Sequence, residues 1–125
     1  MEGDNLMEKL LKEVQECVEA EYGRAAAKFG CTNHSDHESY AIIKEELEGA
    51  QAEMESVALK LAQFWHLTRT NDEDVCKYNR LLEMQHSAML AACECIQVAA
   101  MAMKAALTIA DRNVVSVPGS AGASR

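Results

Sequence analysis

Only one proline and six glycines occur in 125 residues, and aromatic side chains make up 5 %. Runs of β-branched and aromatic residues bounded by turn residues are missing, and strands need them. A β or α/β architecture is therefore excluded. Five cysteines stand at 17, 31, 76, 93 and 95, an odd number with no CxxC pair. That excludes a disulfide framework and reads as reduced thiols packed in helices. Positive charge is scarce, 12 Lys and Arg against 20 Asp and Glu, for a net charge of −8. Such a surface repels a nucleic-acid polymer or an anionic membrane. It leaves open a small phosphorylated ligand held by a metal and a few local cations. The opening MEGDNLMEKLLKEVQE carries acids where a secretory leader has a basic start and an apolar stretch, so a cytoplasmic location is expected. No Gly-rich phosphate loop, nucleophile motif or internal repeat is present.

What is abundant is Ala, Leu, Met, Glu and Lys, the residues that lose least on entering a helix. With 49 % hydrophobic residues the chain has material for one core. The expected fold is all-α: long antiparallel helices forming a helical bundle completed by oligomerisation. Residues 1–112 read as a single domain. Residues 113–125 (NVVSVPGSAGASR) read as a disordered tail.

The first helix is predicted from Asn5 to Phe29, with Leu6, Leu10, Val14, Val18 and Ala25 at helical spacing and Gly30 as its stop. Ser35-Asp36-His37-Glu38 reads as a capping box opening a second helix to about Thr70. Along it Ile43, Leu47, Ala50, Met54, Val57, Leu61 and Phe64 form a heptad-like seam. Thr70-Asn71-Asp72-Glu73 reads as a second capping box and a reversal, so a third helix, about Asp72 to Ala110, runs antiparallel to the second. From Ala88 to Ala110 that helix is apolar nearly all round. Its length could span a bilayer, but Glu94, Gln97, Lys104 and the many alanines favour a buried helix without a membrane partner. Covering every side of it calls for further copies of the chain, a homodimer or higher assembly.

Chemistry is concentrated on the two long helices. Glu45, Glu46 and Glu48 stand on the second, with Glu38 and Glu53 further off. Glu94, Gln97 and Lys104 form one stripe on the third. Charges inside an apolar helix need partners, and Mg²⁺ bridging oxygen ligands from both helices would supply one. Lys104 could neutralise a phosphate, although lysines commonly snorkel. Trp65 sits one position off the seam, where a base or a subunit could contact it. Arg69 and Arg80 flank the reversal and could form a phosphate fork. Cys31, His34 and His37 lie close together in the first linker, where zinc would still need a fourth ligand.

Glu45-Glu46-Leu47-Glu48 followed by Glu94-Cys95-Ile96-Gln97 resembles the MazG-like all-α nucleoside-triphosphate pyrophosphohydrolases, whose pattern is E-E-x-x-E and then E-x-x-D. The segments 36–43 and 96–102 look like the small MazG-like proteins of phages and prophages, and the likeness covers about residues 20–107. It implies a four-helix-type core built by oligomerisation, with carboxylates holding Mg²⁺ while water cleaves an NTP to the monophosphate and pyrophosphate. Glu45, Glu46 and Glu94 match as catalytic and metal residues. Gly49 stands where the pattern has its third glutamate, and Gln97, able to coordinate only through an amide oxygen, replaces the aspartate. A second reading is therefore a non-catalytic relative that sequesters a nucleotide, for example a signalling nucleotide of a phage host. A third is a helical interaction protein without a small ligand.

Overall fold

The computed structural model describes residues 2–113, and the tail expected over 113–125 lies, apart from Asn113, outside them. Three helices follow one another: α1 (Glu2–Phe29), α2 (Asp36–Arg69) and α3 (Asp74–Asn113). The described residues contain no strand, and the all-α expectation holds. By length and composition α3 is apolar enough to cross a membrane. Two compact units divide the chain: Lys44–Cys95, and the described residues on either side of it.

In the flanking unit, α1 ends as expected. Gly30 takes φ 97° and its N–H bonds Ala26 O at 2.8 Å, a left-handed cap that glycine adopts without steric cost. The start of α2 carries its expected cap: Ser35 Oγ accepts from Glu38 N–H at 3.1 Å. Glu38 Oε1 reaches one residue further back than a capping box requires, to His34 N–H at 2.6 Å. Four of the buried side chains here are polar, Asn33, Ser39, Lys104 and Thr108, and Ala100 is fully buried. Asn33 N–H donates to Thr108 Oγ1 at 2.9 Å, its amide to Ser39 Oγ at 2.8 Å, and the Thr108 hydroxyl to Lys104 O at 2.7 Å. This ties the loop to both helices through satisfied bonds, the condition for burying polar groups. Arg112 clamps Asp36 with two bonds of 2.8 Å, which holds the Asp36 carboxyl below the usual range.

The unit Lys44–Cys95 is an antiparallel hairpin of α2 and α3. Glu94 lies against Gly49, the Ser56 and Ser87 hydroxyls bond at 2.9 Å, and Lys60 pairs with Glu83 at 3.2 Å. These contacts advance by seven and four residues on α2 while retreating equally on α3. The reversal is not the second capping box. The Thr70 hydroxyl turns back to His66 O at 3.0 Å, Asn71 takes φ 53°, and Asp72 N–H reaches Leu67 O at 2.9 Å. With Asn71 N–H on Thr68 O at 3.2 Å this is a Schellman close, asparagine serving where glycine is usual. Asp72 Oδ1 accepts from Glu73 N–H at 2.8 Å, and α3 starts at Asp74 instead of Asp72.

The expected seam divides into two columns. Ala50 is buried and Val57 and Phe64 are half-buried against α3, whereas Leu47, Met54 and Leu61 remain 43, 54 and 53 % exposed. Among the described residues no large side chain is fully buried anywhere.

Candidate functional site

Within the hairpin, helical geometry sets the acids at different depths. Glu45 is exposed, Glu46 and Glu53 are half-buried, and Glu48 faces solvent with Lys44 at 4.0 Å. One turn beyond Glu45, Gly49 exposes bare backbone to α3, and the Glu94 carboxylate occupies the space. A Cβ at 49 would stand 2.8 Å from Glu94 Oε2 and 3.3 Å from its Cδ. The register thus brings together the two positions at which the sequence pattern would have placed facing glutamates.

The remaining members of the predicted metal set have other engagements. Gln97 belongs to the flanking unit, where its amide lies close enough to the Glu21 carboxylate to favour its charged form. The Arg24 guanidinium, and secondarily Gln97, hold Glu21 below the usual carboxylate range against the opposing effect of burial. Lys104, in the same unit, is 4 % exposed within the polar core described above. Among the described residues no group of three or more His, Cys, Asp or Glu is placed to hold a metal ion. That includes Cys31, His34 and His37, which are all exposed.

The other predicted ligand residues divide between an exposed pair, Trp65 with Arg69, and a cleft lined by Arg80. Trp65 is 57 % exposed, and the Arg69 guanidinium lies 5.9 Å from its ring centroid. Arg80 is partly buried and forms an ion pair through Nη1 with Glu83 at 2.8 Å, which Lys60 also neutralises at 3.2 Å. Arg80 lines a cleft of 480 Å³ with Ala62, Gln63, His66, Leu67 and Cys76. Gln63 Oε1 is buried and accepts no hydrogen bond, an arrangement costly enough that most buried acceptors avoid it.

Gln63, His66 and Cys76 were not singled out by sequence reasoning. The available signal was small residues, Ala62 and Cys76, beside the reversal: where two helices meet on small side chains, a gap opens between them. Trp65 and Arg69 do not line this cleft; they stand on exposed positions of the last turns of α2.

No family model, curated protein or solved structure matches the chain.

Proposed function

We propose that this protein binds a nucleotide and holds it without turnover, with the heterocycle or its phosphates in the cleft lined by Gln63, His66 and Arg80. The cleft carries the reading. Its size falls within the roughly 300–1,000 Å³ usual for small-ligand sites, and it pairs apolar walls with a few polar groups. The Arg80 guanidinium, ion-paired with Glu83 through Nη1, keeps N–H donors that a phosphate or ring acceptor could use. Trp65 offers a face for stacking. The likeness to MazG-like proteins supports a nucleotide as the ligand.

Binding is favoured over hydrolysis by the state of the acids. Glu94 fills the place of a missing glutamate at 49, and Gln97 brings no charge and lies near Glu21. Mg²⁺ then enters as the ligand's counter-ion, and free nucleotides as ligands fit a cytoplasmic setting.

The test is incubation of the full chain with a nucleotide panel and Mg²⁺, removal of free ligand, denaturation, and mass spectrometry of what is released. An intact nucleotide is expected, with the bound amount falling at least tenfold in Arg80→Gln and Gln63→Leu. Recovery of monophosphate and pyrophosphate would establish turnover instead, and an empty protein would remove the ligand altogether.

A further inference from the structure

A second cleft, of 310 Å³, lies wholly within the unit that flanks the hairpin. Tyr22 of α1, Cys31 and Thr32 of the linker, and Leu107, Ala110 and Asp111 of α3 line it. Its polar groups are of one kind. The Tyr22 hydroxyl donates its only proton to Cys31 O at 2.9 Å, so the phenol oxygen has only lone pairs left to offer. Burial, with Cys31 adding to it, pushes the Tyr22 phenol up, which keeps that proton in place at neutral pH. Thr32 adds a hydroxyl, and Asp111 a carboxylate with lone pairs for several donors. Leu107 and Ala110 supply an apolar wall. Among the described residues no cation lines the cleft, and Arg112, next to Asp111, is bonded to Asp36 through both terminal nitrogens.

We infer that this cleft binds a small primary amine as its ammonium ion, the charge at Asp111 and the carbon chain along Leu107 and Ala110. An ammonium group brings three N–H donors and no acceptor. That complements a lining whose oxygens come from Tyr22, Thr32 and Asp111. The Tyr22 ring, in the same lining, adds a quadrupole that attracts cations. The net charge of −8 raises the concentration of any cation near the surface. Size agrees, because 310 Å³ stands at the low end of the roughly 300–1,000 Å³ usual for ligand sites and suits a chain of a few carbons. Asp111 repels an anion, and a lining with one carboxylate is poor in the charged oxygens that a bare divalent ion needs. The cleft shares no residue with the one lined by Gln63, His66 and Arg80, so the inference stands or falls separately from nucleotide binding.

Titration of the full chain with n-butylammonium chloride, followed by NMR amide shifts, tests it. Saturable shifts centred on residues 22, 31–32 and 107–111 are expected, weakening as salt rises. Asp111→Asn, a near-isosteric change at an exposed position, should weaken binding at least tenfold at unchanged helical circular dichroism. Thr32→Val, also exposed, should weaken it about threefold. Two control ligands separate the parts of the argument. n-Butanol has the chain without the charge, and tetramethylammonium has the charge without N–H donors; each should bind at least tenfold more weakly. Sodium chloride at the same ionic strength should leave the shifts in place. Absence of saturable shifts at millimolar n-butylammonium, equal binding of either control ligand, or undiminished binding by Asp111→Asn would each overturn the assignment.

Discussion

Replacing Gly49 by alanine sets two effects of known sign against each other. Alanine is favoured over glycine in a helix interior by about 0.8–1 kcal/mol, and Gly49 lies well inside α2. The new Cβ, however, would come within 2.8 Å of Glu94 Oε2. That atom ends a flexible side chain, so Glu94 can swing away, at about 0.5–1.5 kcal/mol for a displaced rotamer. In the wild-type background the two nearly cancel, and the net change should lie within about 0.7 kcal/mol of zero. With Glu94→Ala the obstruction is gone, and Gly49→Ala should stabilise by the full propensity gain of about 0.8–1 kcal/mol. Urea unfolding of the four proteins in this cycle yields the coupling directly. An identical effect of Gly49→Ala in both backgrounds would refute the packing of Glu94 against Gly49, and with it the registration of the two acidic segments.

Restoring the missing acid at 49 extends the same logic. Gly49→Glu, set against Glu94, should destabilise the protein without metal by about 1–4 kcal/mol, the repulsion of two carboxylates about 4 Å apart at intermediate to high dielectric. Mg²⁺ at about a hundred times its Kd would return about 2.7 kcal/mol if an ion then binds, read as a rise in Tm, and no response to Mg²⁺ would count against a latent metal site. Ser35→Ala removes the acceptor for Glu38 N–H and should cost about 1 kcal/mol in thermal unfolding, whereas Ser35→Asp should be nearly neutral. Asp36 has a folded-state pKa depressed by Arg112, so its contribution is present above the unfolded value of about 4 and vanishes as pH falls through the lower folded value. Wild type should therefore exceed Asp36→Asn in stability at pH 7, with the gap closing below about pH 4; a constant gap across acid pH would contradict the pairing.

The helices were legible because each is announced by local chemistry. Gly30 and Ser35-x-x-Glu38 are read within one turn of chain, and the structure uses both nearly as written. The second boundary was misplaced for an equally local reason. Thr70 can cap the following helix or close the preceding one, and its hydroxyl went back to His66 O once Asn71 took a left-handed conformation. The seam was found, but periodicity reports only that a residue lies on an apolar stripe. It does not say whether the cover comes from the same chain, so Ala50 and Met54 share one pattern and opposite fates.

The site divides along the same line. Which acids share a helix follows from counting, but which of them meet depends on how α2 is registered against α3. That register is fixed by contacts such as Ser56 with Ser87 and Lys60 with Glu83, each a pairing of residues with no distinguishing local signal. It delivers Glu94 to Gly49; within the other unit Gln97 lies near Glu21, a neighbour on a helix that spacing arguments never connected to it. The Gln63 cleft was hidden because an opening is made by what side chains fail to fill. Its physical signature, a buried amide oxygen without a donor, exists only once α2 and α3 have closed around it. A ligand that binds this cleft only in the folded state would stabilise the hairpin by RT ln(1 + [L]/Kd), a rise that continues after the site is full, which ties the binding reading to a measurable shift in unfolding.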